Sequence, residues 1–236
     1  YDYALRRYDA SLFGAYRFHT TNFDLEIAAK FGYCDISRRG FYRKELFADS
    51  SLGVSCHLRF APYSLRVSAE YLINDNHFVR GGIYVKSTPC ESENLFLQSQ
   101  YNNRTIANPT ALSRFGANMQ YMFQRQNIAV STTLFIRSML NDTQVRHLYD
   151  DLWGEYADVV TSNIDHLCYG MEVEVQYRFA TNFRATAAAA VGRYKYSDNA
   201  LVTIYSDTTN ALIADHVESN TEGLSLGNMP QMTATI

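Results

Sequence analysis

Between residues 171 and 179 apolar and polar positions alternate without a break. Met171, Val173, Val175, Tyr177 and Phe179 fall on one side of an extended chain, and Glu172, Glu174, Gln176 and Arg178 on the other. A period of two marks a strand with unlike faces, and no helical spacing reproduces it. After the break Thr181-Asn182 a second run opposes Phe183, Ala185, Ala187, Ala189 and Val191 to Arg184, Thr186 and Ala188. The construction recurs upstream. Phe23, Leu25, Ile27, Ala29 and Phe31 alternate with Asp24, Glu26, Ala28 and Lys30, and Leu65, Val67, Ala69 and Tyr71 with Arg66, Ser68 and Glu70. Phe115 to Phe123 and Ile128 to Ile136 behave alike, although Thr132 interrupts the apolar face of the second. The run from Phe78 to Ser87 is less regular, with Val79, Ile83 and Val85 set against Arg80, Tyr84 and Lys86. About nine antiparallel strands are predicted.

The connections alternate too. Short polar turns fall near His19–Asn22, Asn74–His77, Gln124–Asn127 and Ala180–Asn182, and long polar segments are expected over 35–62, 88–112, 138–166 and 197–228. Structureless loops beyond about 12–15 residues are uncommon in a compact soluble domain. Short turns on one rim and long loops on the other belong to a membrane-spanning antiparallel β-barrel. Tyr16, Phe18, Phe23, Tyr71, Tyr121, Phe123, Tyr177, Phe179 and Phe183 crowd the short-turn end, where a barrel carries an aromatic girdle. A β-sandwich, the competing all-β reading, gives no reason for long loops at every second connection.

Composition sharpens this picture at four points. Eighteen Tyr and fourteen Phe against four Pro and one Trp suit pleated surfaces. A net charge of −3 leaves no basic excess to neutralise phosphates, so no nucleic-acid partner is expected. No apolar run approaches the roughly 18 residues of a spanning helix, which excludes a helical membrane protein and leaves a barrel open. The opening Tyr1-Asp2-Tyr3 carries no signal-peptide pattern, and residue 1 is not expected to be the start of the protein. Cys34, Cys56, Cys90 and Cys168 are widely spaced, with no CxxC pair, so unpaired or incidentally paired thiols are expected and a loop disulfide stays open.

Several short motifs carry a resemblance. Tyr71-Leu72-Ile73-Asn74-Asp75-Asn76-His77 with Ile83-Tyr84-Val85-Lys86-Ser87-Thr88-Pro89, Gly170-Met171-Glu172-Val173-Glu174, Gly192-Arg193-Tyr194-Lys195-Tyr196 and Gly223-Leu224-Ser225-Leu226-Gly227-Asn228-Met229-Pro230-Gln231 resemble segments of TonB-dependent outer-membrane receptors. The likeness runs over most of residues 8–236. It departs at Asn108-Pro109-Thr110-Ala111, which lacks the usual acidic residue, and at Cys90, where an aromatic is common. The resemblance implies a bacterial outer-membrane location and a barrel of about 22 strands, the plugged-lumen class. Residues 1–236 would then be a portion of one barrel domain, with the N-terminal plug and the final strands absent. It also implies uptake of a small nutrient ligand (siderophore, haem, cobalamin, glycan or peptide) powered by the TonB complex through the plug, with outer-membrane lipid as the other partner. The alternative is a non-transporting barrel, an adhesin or surface assembly protein.

No catalytic constellation emerges, and neither an enzyme nor a resident cofactor or metal is predicted. Segment 138–166 gathers Asp142, Asp150, Asp151, Glu155, Asp158 and Asp165 against Arg146, and segment 197–228 holds Asp198, Asp207, Asp215, Glu218 and Glu222 with no Lys or Arg. Segment 35–62 is basic, with Arg38, Arg39, Arg43, Lys44 and Arg59. Opposed charges of this kind orient a polar ligand, so Asp150, Asp151, Glu155, His147, His166, Arg38 and Arg39 are candidate ligand residues; the plainer reading is ordinary solvated loops. His147 and His166 among these acids are a weak metal signal. Arg66, Glu70, Glu172, Glu174, Arg178 and Arg184 are expected to line the lumen, facing either a plug or one another across strands.

Overall fold

A computed structural model describes residues 2–151, 154–227 and 229–235. The chain is all-β, and its strands form one antiparallel sheet. In chain order they are β1 (Tyr3–His19), β2 (Phe23–Gly40), β3 (Gly53–Val54), β4 (Leu58–Phe60), β5 (Tyr63–Asn74), β6 (His77–Pro89), β7 (Ala111–Arg125), β8 (Ile128–Asp150), β9 (Glu155–Ala180), β10 (Phe183–Tyr196), β11 (Leu201–Ser206), β12 (Leu212–Glu218) and β13 (Met232–Thr235). Nine of them follow one path, β1-β2-β5-β6-β7-β8-β9-β10-β13. Each main-path strand pairs with its sequence neighbour in the path, the meander that hairpin connections favour. Among the described residues β1 and β13 do not meet, so the sheet is open rather than closed.

All four predicted short turns lie where the polar breaks put them, at the ends of β1, β5, β7 and β9. The expectation for the other rim needs correction. Segment 138–166 is not a loop: β8 and β9 run through it, 23 and 26 residues long, and meet at a tip near Asp151 and Gly154. At about 3.4 Å per residue β9 is roughly 88 Å long. Segment 197–228 begins as the β11–β12 hairpin, with β11 added to the upper edge of β9. β2 continues to Gly40, and β3 and β4 pair with it. Segment 90–110 stays largely irregular, with one 3-10 turn at Ser92–Leu95, and 41–52 and 219–224 also lie outside the strands.

Register decides which residues share a face, because partners directly opposite project to the same side. One row crosses all nine strands: Phe18, Leu25, Ala69, Gly81, Met119, Leu134, Met171, Val191 and Met232. The row below it is Phe23, Tyr71, Val79, Tyr121, Thr132, Val173, Ala189 and Ala234. On the opposite face a row reads Asp24, Glu70, Arg80, Gln120, Thr133, Glu172, Ala190 and Thr233. The chain therefore has an apolar face and a polar face over the same nine strands. The two central glycines of β6 explain its irregular pattern. Gly81 stands in the apolar row, whereas a Cβ on Gly82 would lie 3.0 Å from Asn118 Oδ1 on the polar side.

A conventional core exists only above this two-faced region. Cys34 and Ile36 of β2, Leu112 of β7, Val160 of β9 and Tyr205 of β11 close around Cys90, Leu95, Phe96, Leu97 and Ile106 from segment 90–110. Cys34 and Ile36 have the parity of Lys30 and Glu26, so the segment packs on the polar side of the sheet. The four cysteines are free. Gly170 marks the level between the two regions. A Cβ there would fall 2.4 Å from the Val191 carbonyl oxygen and 3.1 Å from Phe135 Cζ, so glycine lets Phe135 fold flat over β9.

Candidate functional site

The apolar face forms a belt with two aromatic margins. At the turn end stand Tyr71, Tyr121, Tyr177, Phe179 and Phe183, all exposed, the last to 62%. At the other end stand Phe31, Tyr63, Phe115 and Tyr169, also exposed and on the same face by register. Sequence reading found the first margin and missed the second, because nothing short punctuates the strands there. Between the margins, from Phe23 to Phe31 on β2 and at the paired levels of β1 and β5 to β9, no Asp, Glu, Lys or Arg points outward among the described residues; β10 departs, with Arg193 opposite Tyr169 and Lys195 opposite Leu167. The nine residues of this stretch measure about 27 Å along the strand. A tilt of about 40° lowers that to about 21 Å, close to the roughly 25 Å apolar band of outer-membrane barrels.

Above the second margin the outward face turns polar at once. Asp35 meets His57 Nδ1 at 2.7 Å, Arg59 Nε at 3.5 Å and the Tyr33 hydroxyl at 3.2 Å. The His57 contact does most to hold the Asp35 carboxyl below the usual range. Arg193, opposite Tyr169 and at the register level of Ile27, is exposed, so on β10 the charge begins lower. Such a change from no charge to clustered charge within a few residues is what a boundary between lipid and water selects.

The six predicted lumen residues all lie on the polar face. Glu70 binds Arg80 across β5 and β6, with Arg80 Nε 2.7 Å from Glu70 Oε2, and this pair stands in a depression it shares with Arg17, Asp24, Glu26 and Arg66. Glu174 accepts a hydrogen bond from Gln176 Nε2 at 2.6 Å, and Glu172 and Glu174 line a second hollow facing Gln120 and Ser131. Arg178 and Arg184 face each other across β9 and β10. These residues are brought onto one wall, balanced partly by cross-strand pairs.

The loop candidates divide. Arg38 is not a free ligand-binding cation: it is 1% exposed. Its guanidinium donates to the carbonyls of Ser99 and Ser51, at 2.5 and 3.2 Å, and to Asn103 Oδ1 at 2.5 Å, and it lies 5.3 Å from the centre of the Tyr3 ring. All three acceptors are neutral, so burial draws its pKa down. It is a strut tying β2 to segment 90–110. Arg39, the next residue, is exposed and stacks over Phe41 at 5.5 Å. Asp151 is exposed at the hairpin tip and Glu155 half-buried beside it; the side chain of Asp150 lies outside the described residues. The basic and acidic candidates are not brought together, since β2 and β8 are separated by β5, β6 and β7.

His147 and His166 do not meet either. His166 sits opposite Met139, against the Tyr196 ring at 5.1 Å. His147 sits opposite Asp158, which places it about eight residues, or roughly 27 Å of strand, higher. A different set gathers there. His147 Nδ1 is 3.0 Å from Asp158 Oδ1 and 3.9 Å from Asp207 Oδ1. Gln98 donates its amide N–H to Asp207, and Tyr156 stacks on the His147 ring with centroids 5.0 Å apart and planes 2° from parallel. Asp158 is wholly buried, burial raises its pKa, and its Oδ2 has no hydrogen-bond partner. A cavity of about 340 Å³ opens beside it, lined by Asn94, Gln98, Tyr101, Val145 and His147 among others.

Three elements build this cluster. The β8–β9 ladder is interrupted near Asn141 and Asn163, both in left-handed backbone (φ 61° and 53°), and resumes above them in its former register, which holds His147 opposite Asp158. β11 then brings Asp207 to the edge of β9, and segment 90–110 supplies Gln98 from the polar side. No alternation in the sequence signals this gathering, and Asp207 is distant from His147 in the chain. The comparison with protein-family models finds no match, and neither does that with curated proteins.

Proposed function

We propose that this chain is a sector of an outer-membrane β-barrel whose apolar face meets lipid and whose polar face lines the interior, and that the whole protein is an energy-driven nutrient receptor. The observation that carries the membrane reading is the row structure: nine strands in register present an apolar belt, bounded by aromatics on both sides, with the charges on the other face except for Arg193 and Lys195 toward the end of β10. In water such a belt has nothing to cover it; in lipid it needs no cover. An open sheet edge cannot lie in hydrocarbon, because each unpaired backbone group there costs several kcal/mol. Strands beyond β1 and β13 therefore complete the wall.

The receptor reading rests on the tall β8–β9 hairpin, the packed segment 90–110 on the interior side and the motif resemblance to TonB-dependent receptors. A wall balanced by its own ion pairs, such as Arg80 with Glu70, also suits the interior of a plugged barrel. In this reading the short turns are periplasmic and the hairpin tip extracellular, where it meets a small nutrient ligand. The TonB complex would act through a plug domain that these residues do not include.

Cells expressing the full-length protein test both parts. In a Cys56→Ser background, a cysteine replacing Asp151 should react with a membrane-impermeant maleimide on intact cells. One replacing Thr181 should react only after permeabilisation, and the reverse pattern would sink the topology. Deletion of the protein should then abolish energy-dependent accumulation of one scarce nutrient among iron chelates, haem, cobalamin, oligosaccharides and peptides. Correct topology with every uptake intact would leave a non-transporting surface barrel.

A further inference from the structure

We propose that His147, Asp158 and Asp207 bind a first-row transition-metal dication of the zinc type at the upper end of the β8–β9 hairpin. The site stands on its own geometry and does not depend on what the protein transports.

The donor set comes first. The three residues offer one imidazole nitrogen and two carboxylate oxygens, all within 4.8 Å of one another. In a tetrahedral zinc site with bonds of about 2.0–2.1 Å, neighbouring donors stand about 3.3 Å apart. His147 Nδ1 lies 3.0 Å from one carboxylate and 3.9 Å from the other, distances that bracket this value. Two carboxylates also match the charge of a dication. A mixed nitrogen and oxygen set of three suits zinc and its neighbours, whereas calcium requires six to eight oxygens.

The independent observation is the second oxygen of Asp158. It is fully buried and unpartnered, in a side chain that lines the cavity together with His147. A protonated His147 bridging the two carboxylates would satisfy the Oδ1 atoms and still leave this oxygen bare. A bare buried carboxylate oxygen is among the costliest groups a fold can carry, and a cation is what it lacks. The surroundings are already arranged as metal sites require. Gln98 fixes Asp207 and Tyr156 fixes the imidazole plane, the outer contacts that orient metal ligands. His147 is half-exposed, which gives the ion a way in. The cavity beside it leaves a fourth position for water or for a donor atom of a bound ligand.

The test uses the full-length protein extracted in detergent, stripped with a chelator and titrated with Zn²⁺ by calorimetry at neutral pH. One zinc per chain is expected, uncompeted by millimolar Ca²⁺. Asp207→Asn and Asp158→Asn should each weaken binding at least tenfold, while Glu155→Gln near the hairpin tip should leave it unchanged. Asp207 is partly exposed, so its variant decides the matter even if Asp158→Asn does not fold. Absence of zinc uptake by the wild type, or equal affinity in wild type and Asp207→Asn, overturns the proposal.

Discussion

β2 passes through two environments within eighteen residues, and the contrast organises the molecule. Its first half, Phe23 to Phe31, has one apolar and one charged face, and Ile27 and Phe31 are left exposed. Its second half, Cys34 to Arg38, is buried throughout, with Cys34 and Ile36 at 0% exposure. β8 and β9 repeat the change, exposed at Leu134 and Met171 but closed at Thr143, Asp158 and Val160. The lower half has no core of its own, and its stability must come from what surrounds it. The upper half carries a core made by segment 90–110. A strand can thus belong to a two-faced, uncovered sheet at one end and to an ordinary packed core at the other, with only the neighbours deciding.

The largest expected effect would break the lower half of that comparison. Val175 stands in the apolar belt between Val130 and Ala187, and Gln176 on the polar face between Ala129 and Thr186. Val175→Arg should destabilise the protein in lipid by about 2–4 kcal/mol. Gln176→Arg should be close to neutral, because Glu174 is already within reach. Urea titration of the lipid-reconstituted full-length protein measures both, and equal losses would show that the two faces meet the same medium.

A smaller effect addresses the upper half. Arg38→Met fills similar space but leaves the Ser51 and Ser99 carbonyls and Asn103 Oδ1 without their donor. Bonds from a charged donor contribute about 1.5–3 kcal/mol. The desolvation already borne by the guanidinium offsets part of their sum, so a net loss of about 1.5–3 kcal/mol is expected. It should appear as faster proteolysis of 98–103 and 50–55 while the belt stays intact. Loss of the whole fold would mean that the two halves are one cooperative unit.

The halves also differ in how far the sequence discloses them. In the lower half the two unlike faces carry a strict period of two, so Met171 to Phe179 and Phe23 to Phe31 could be read directly, and with them the polar-face positions of Arg66, Glu70, Glu172, Glu174, Arg178 and Arg184. In the upper half both faces of a strand are covered, or neither, and the alternation disappears. The irregular step at Asn141 and Asn163 interrupts the ladder there as well. Acidic residues over 142–158 therefore looked like a solvated loop, although Val159, Val160 and Thr161 are sound strand formers. Arg38 was visible only as a charge; the neutral carbonyls that bury it come from segments 51 and 99, which no local pattern connects to it. Asp207 joined His147 by pairing of β11 with β9, a contact that spacing cannot reveal.

The smallest expected effect sharpens the comparison at its one irregular position. Thr132 lies in an otherwise apolar row between Tyr121 and Val173, while the adjacent Thr133 faces Gln120 and Glu172 on the polar side. Valine has nearly the shape of threonine, so exchanging the two isolates the hydroxyl. Moving a hydroxyl from water into an apolar medium costs about 0.5–2 kcal/mol on scales that allow partial compensation. A threonine hydroxyl that bonds back to its own strand recovers part of this. Thr132→Val should therefore stabilise the protein in lipid by about 0.5–1 kcal/mol, and Thr133→Val should be neutral or slightly unfavourable, because its neighbours are hydrated and charged. The same titration in lipid measures the pair. A loss at Thr132 matching that at Thr133 would mean that this row borders water at the level of Val173, and the belt would have to be redrawn one strand pair narrower.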